Sequence, residues 1–277
     1  MKKCCLMITL LINSASLLFA EPNAVIEVKL FKTWVIKGEQ DFFSLAIKNI
    51  GTEPFLLAKD TFEFSTGQLF ARSLDNKSVG STGTFWFSCD EEYKTIEWGE
   101  GFEPLPAEET RVFDGRKFRL VVRVPFAETI QYKVSVYLGN NFWLDSEPLT
   151  VNGVLPDAIE DLEAVKDNTR NLQDPPRGLM TVTYKNERWL YIKSMSGKGC
   201  YSVCPLSLTN KIRVEPHDGG ALFKIWDGDK SMIFHMHQMM LLEGPDENNV
   251  FGKWTRERKQ QAEADNAEVR KKKAEVP

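Results

Sequence analysis

Hydrophobic residues recur with a period of two from Ala24 to Val151, and this most constrains what the chain can fold into. Alternate side chains then point to opposite faces of a sheet. Ile26, Val28 and Leu30 alternate with Glu27 and Lys29, and Phe43, Leu45 and Ile47 form a second set. Phe118, Leu120, Val122 and Val124 alternate with Arg119 and Arg123, and Tyr132, Val134, Val136 and Leu138 complete the series. Turn-forming residues separate the sets at Lys37-Gly38-Glu39, Asn49-Ile50-Gly51, Asp114-Gly115 and Gly139-Asn140-Asn141. About seven short strands with polar outer faces over residues 23–152 predict two packed antiparallel sheets, and the fold class is mainly β.

The run Gly38-Glu39 leading into Phe43-Ser44-Leu45-Ala46-Ile47-Lys48-Asn49, followed by Gly51-Thr52-Glu53-Pro54, resembles an immunoglobulin-like or fibronectin-type β-sandwich of bacterial exported proteins. The resemblance covers less than half the chain and implies a fold but no activity. Antibody-type domains carry an inter-sheet cysteine pair packed on a tryptophan; this region holds only Cys89.

Between residues 153 and 178 the period moves toward three or four, with Ile159, Leu162 and Val165 on one face and Glu160, Asp161 and Glu163 early in the run. Acidic residues near a helix N-terminus complement its dipole, and Asp174-Pro175-Pro176 stops helix growth. The expectation is a linker with a short helix. Strand patterns resume at Leu179–Tyr184, Arg188–Lys193, Tyr201–Leu206, Lys211–Glu215, Ala221–Trp226 and Ser231–Gln238, so residues 179–245 read as a small antiparallel β-domain. A unit of that size packs on the first domain or on a partner. Residues 253–277 carry eight basic and five acidic residues with few bulky apolar groups, the composition of a charged helix or a disordered tail.

Residues 1–20 have the layout of a secretory signal: Lys2-Lys3, an apolar run from Cys4 through Ile12, then Leu17-Leu18-Phe19 before the small Ala20. Cleavage between Ala20 and Glu21 delivers the chain to a periplasm or to the outside of a cell, with no stable membrane span left behind. Loss of Lys2 and Lys3 takes the formal charge from −4 to −6 over the remaining 257 residues, which argues against nucleic acid as a partner. Cys89, Cys200 and Cys204 survive cleavage. Within one straight strand Cys200 and Cys204 lie too far apart to bridge, whereas a turn between them permits a disulfide.

The candidate sites are two. Trp86, Trp98 and Trp143 offer aromatic platforms for a glycan, or fill the core. All three histidines fall at His217, His235 and His237. A tight hairpin centred on Gly228-Asp229 pairs Asp227 with Lys230, Phe223 with Phe234 and Leu222 with His235, which puts the apolar side chains on one face and the histidines on the other. His217, Asp218, His235 and His237 then form a candidate metal site, the one cofactor the sequence invites. No nucleophile elbow, phosphate-cradling glycine loop or Cys-x-x-Cys occurs. The expected function is a non-enzymatic binding or assembly module with a protein or glycan ligand at the cell envelope. A carbohydrate-binding or carbohydrate-processing accessory protein, and a metal-binding protein or metal-dependent enzyme that uses the histidine cluster, are the alternatives.

Overall fold

The computed structural model describes residues 22–59, 69–74, 100–116, 120–124, 127–138, 142–162, 178–193, 200–217, 221–236 and 238–275. The signal segment, Phe118, Cys89 and Val165 lie outside them. Nineteen strands and one long helix make up the described part, which is mainly β.

The first unit is built around β3 (Gln40–Asn49). On one side β3 pairs antiparallel with β1 (Ala24–Leu30), Ile47 opposite Ile26; on the other it pairs with β7 (Thr110–Phe113) and then β8 (Val121–Arg123). The second sheet centres on β9 (Thr129–Tyr137). Strands β10 (Trp143–Asp145) and β11 (Leu149–Val154) follow one another along one side of it, and β5 (Leu69–Ser73) runs along the other. A separate two-stranded antiparallel sheet of β4 (Phe55–Ala58) and β6 (Phe102–Leu105) flanks these sheets. Phe43, Leu45, Ile47, Leu120 and Val122 from one sheet meet Ile130, Tyr132, Val134, Val136 and Val151 from the other in one core. The alternation in the sequence marks this core correctly. One detail departs from the antiparallel expectation: β2 (Trp34–Ile36) pairs parallel with β11.

Strands β7 and β8 act as one strand interrupted between residues 113 and 121. Gly115 opens this insertion against β3, so close that a Cβ there would sit 1.5 Å from the Phe43 carbonyl oxygen. Only glycine permits the approach. The insertion aims Arg116 inward, as bulges commonly re-aim a side chain.

The region expected to be a helical linker contains strand β12 (Ala158–Leu162), paired antiparallel with β13 (Gly178–Tyr184). Ile159, placed on an apolar helix face by the three-to-four spacing, is exposed on this edge strand. Pairing with β13 satisfies the backbone here, a tertiary gain that overrides the weak local pattern. The second unit therefore begins at Ala158. It comprises two antiparallel meanders: β12, β13, β14 (Glu187–Lys193) and β15 (Cys200–Leu206) in one, and β16 (Ile212–His217), β17 (Leu222–Asp227), β18 (Lys230–His235) and β19 (Met240–Glu243) in the other. The expected β17–β18 register holds, with Asp227 opposite Lys230 and Leu222 opposite His235, and Gly228 supplies the positive φ of the turn at 63°.

Helix α1 runs from Val250 to Glu275, with Asn249 at its cap position. It docks through Phe251, Thr255 and Ala262. No helix among the described residues is long and apolar enough to cross a membrane.

Candidate functional site

Packing between the two units creates a buried polar region within an aromatic cluster. The second unit cannot close its core alone: Phe31, Trp34, Phe42 and Val154 of the first unit enter the same cluster as Trp189, Tyr191, Tyr201 and Val203. Phe31 meets Trp189 edge-on at 6.2 Å and stacks on Phe251 at 4.2 Å, while Phe42 stacks on Tyr201 at 5.0 Å. This explains why Phe42, out of phase with the Phe43, Leu45 and Ile47 set, is as apolar as they are.

Two cations are buried in this seam. The Lys32 ammonium pairs with Asp41, both side chains 3% exposed, and sits 4.5 Å from the Trp34 ring and 4.7 Å from the Tyr191 ring. Asp41 Oδ1 accepts from the Phe42 backbone N–H at 2.8 Å and from Ser202 Oγ at 2.5 Å. A charge withdrawn from water is tolerable only with this degree of pairing. Arg116 donates from Nη2 to the Val203 carbonyl at 2.6 Å, with its guanidinium 3.8 Å from the Phe31 ring. Burial pulls its pKa down to about 10, against the pull of Asp114, Cys204 and Asp41 in the other direction, so it remains a cation at neutral pH.

At one end the seam opens into a cleft of about 420 Å³. Its walls are Thr33 and Trp34 of the first unit, the Ala127-Glu128-Thr129 approach to β9, Asn152-Gly153-Val154 of β11, and Tyr184, Lys185 and Glu187 of the second unit. The β13–β14 hairpin supplies that last group. Its two central residues, Lys185 and Asn186, take φ of 46° and 64°, the geometry of a tight two-residue hairpin, and bring Tyr184 opposite Glu187. Asp157 anchors the turn by accepting from the Lys185 N–H at 2.7 Å.

Glu187, itself exposed on the cleft wall, accepts at Oε2 from two indole N–H donors, Trp34 at 2.6 Å and Trp189 at 3.4 Å. Tyr184 leans on Trp34 at 5.4 Å between ring centres. Across the cleft Asn152 accepts from Thr129 Oγ1 at 2.7 Å and donates to the Thr33 carbonyl at 3.1 Å. Threonine hydroxyls, a carboxamide, a lysine and two carboxylates are the groups that recognise a hydroxylated or ammonium-bearing ligand.

Those site residues expected from the sequence that the structure describes fall elsewhere. Trp143 is 41% exposed on β10, its ring 4.9 Å from that of Tyr137, and it does not line the cleft. Trp86 and Trp98 lie outside the described residues, as do Asp218, His237, Ala20 and Glu21. His217 and His235 both pair with Leu222, from opposite sides, so one whole strand separates them. His235 Nδ1 already accepts from the Gln238 backbone N–H at 3.1 Å. No group of three or more metal-ligating side chains occurs among the described residues.

The disulfide between Cys200 and Cys204 does not form: both belong to β15, and Cys204 is a buried free thiol. Four residues of extended chain, at about 3.3 Å each, exceed disulfide reach. Burial, together with Asp227, pushes the Cys204 thiol up to about 12 against the counter-pull of Arg116, which makes it a poor nucleophile.

No protein-family model matches the chain, and no curated protein matches it. Among solved structures it is similar to Spo0M, sporulation control protein, from Bacillus subtilis, at 9% identity over 86% of this chain and 98% of that one. The TM-score is 0.27, too low to carry an argument about fold or role.

Proposed function

We propose that the protein is an exported binding or assembly module of the periplasm or the extracellular space, not an enzyme, and that the cleft between its two units holds a small hydroxylated ligand such as a glycan fragment. The observation that carries this reading is the cleft itself: about 420 Å³, walled by both units, with Thr33, Thr129, Asn152, Lys185 and Glu187 around it. Export is supported by Lys2-Lys3 and the apolar run that follows them. An immunoglobulin-like arrangement of the first unit is supported by two sheets that share one core.

Trp34 lies beneath the cleft and reports on its occupancy. Titration with mono- to tetrasaccharide fragments of envelope polysaccharides, followed by tryptophan fluorescence, gives a saturable change for the correct ligand. Asn152→Ala weakens it about tenfold, the cost of one or two hydrogen bonds. Absence of a saturable response to every fragment contradicts the glycan assignment.

Trp143 supports a second reading, in which an exposed ring on β10 stacks on a longer polysaccharide. Under that reading Trp143→Ala abolishes polysaccharide binding and Asn152→Ala leaves it unchanged.

A further inference from the structure

Strand β7 is the outer strand of its sheet, and its outward backbone groups face helix α1. A single side chain satisfies Thr110. Asn266 Oδ1 accepts from the Thr110 N–H at 2.8 Å, and Asn266 Nδ2 donates to the Thr110 carbonyl at 2.9 Å. A residue in an added antiparallel strand makes this same pair of bonds to its partner. Asn266 thus imitates one residue of a missing strand.

The helix segment that carries Asn266 is held in a distinctive way. The buried residues of α1 are Phe251, Thr255 and Ala262, so the segment 263–275 buries no apolar side chain. Val269 is only half-buried, and the specific contacts that fasten the segment are polar. Arg270 forms a two-pronged pair with Glu109, at 2.8 and 2.9 Å, and Lys273 donates to the Ala107 carbonyl at 3.0 Å. Arg270 and Lys273 are themselves exposed, although Glu109 is buried, so water and salt reach these contacts from the helix side and weaken them.

From these contacts we infer that residues 263–275 are a releasable cover over a strand-addition site at β7, and that the partner is an extended basic peptide. The peptide adds antiparallel to β7, its backbone takes over the two bonds of Asn266, and its Arg or Lys side chains take over Glu109 from Arg270. Charge complementarity fixes the class, because release of α1 uncovers Glu109 next to Glu108, which is already exposed. This site is independent of the interdomain cleft, and neither reading depends on the other. Strand addition to an exposed edge is an established way for sheets to bind peptides, and a covered edge also avoids unwanted pairing.

The test uses the full chain carrying Asn266→Ala and Arg270→Glu, both at the helix surface. The probe is a fluorescein-labelled peptide of sequence Lys-Val-Arg-Val-Lys-Val-Thr. Two controls accompany it, one with Glu in place of each basic residue and one with proline at its centre. The variant binds the basic peptide about tenfold more tightly than the parent does, since the parent exposes the edge only fractionally. Bound peptide slows exchange of the Thr110 amide, and neither control binds. Equal affinity of parent and variant overturns the inference. So does equal binding of the proline control, which would reduce the effect to charge alone, or Thr110 exchange that does not accelerate in the free variant. Dimerisation of the free variant with Thr110 protected also overturns it, by assigning the edge to a second copy of the chain. Should the double variant fail to fold, Asn266→Ala alone accelerates Thr110 exchange, and unchanged exchange counts against the inference.

Discussion

The seam between the two units and the strap of α1 over β7 are both built from charged and polar side chains, yet they differ in what surrounds those groups. In the seam Lys32, Asp41 and Arg116 are buried among aromatic rings, and every ion pair or hydrogen bond works without competition from water. In the strap Arg270 and Lys273 reach in from solvent, although Glu109 itself is buried. Similar bonds therefore do different work: one set locks two units into a single body, and the other holds a helix loosely enough to let go.

The largest expected effect comes from breaking the seam. Asp41→Ala leaves the Lys32 ammonium buried without its counter-ion and lowers unfolding free energy by about 3–5 kcal/mol in a denaturant titration. A paired replacement, Lys32→Met with Asp41→Leu, sharpens the point by recovering most of that loss, because an apolar pair pays no desolvation cost. Next comes Gly115→Ala. Its new methyl group meets the Phe43 carbonyl and costs about 1–3 kcal/mol or more by the same titration. It also disturbs the insertion that aims Arg116 into the seam.

Effects on the strap are smaller. Arg270→Ala lowers the denaturation midpoint less than either seam substitution, and salt narrows the difference from the parent. Arg270 holds the Glu109 carboxyl below the usual carboxylate range, with Lys273 and Arg111 adding to the effect against the cost of burial. A depressed carboxylate contributes stability that is fully present above the unfolded value, about 4.3, and is lost as pH falls through the lower folded value. Acid therefore frees residues 263–275 at a pH below that range, and Glu109→Gln removes this dependence. The smallest effect is chemical: Cys204 resists alkylation at pH 8 in the native protein and reacts fully once unfolded.

Much of the β framework is legible in the sequence, for a physical reason. A strand with one face in the core must alternate, so Tyr132, Val134 and Val136 announce themselves, and the Gly228-Asp229 turn fixes a register down to individual pairs. Where both faces are covered the signal fades. Phe42 belongs to the seam and Phe43 to the first core, and nothing local separates them. Strand β12 was hidden because its pattern, Ala158-Ile159-Glu160-Asp161-Leu162, fits a helix face as well as an exposed edge, and only pairing with β13 decides. The cleft was illegible for a different reason: Thr33, Thr129, Asn152 and Glu187 are far apart in the chain and ordinary one by one. The tight turn Tyr184-Lys185-Asn186-Glu187 is the one local signal that points toward it. Likewise α1 reads as a solvated charged helix until Asn266 is seen on Thr110.

Native-state amide exchange at low and high salt tests the contrast between seam and strap most directly. Amides of Phe42, Trp189–Ile192 and Tyr201–Cys204 should exchange together, only through global unfolding, at a rate insensitive to salt beyond its effect on overall stability. Thr110 and the amides of residues 263–275 should exchange through a separate, lower-energy opening that salt makes easier. Exchange of the helix in step with the seam, or an opening of the seam that leaves each unit folded, would contradict the account.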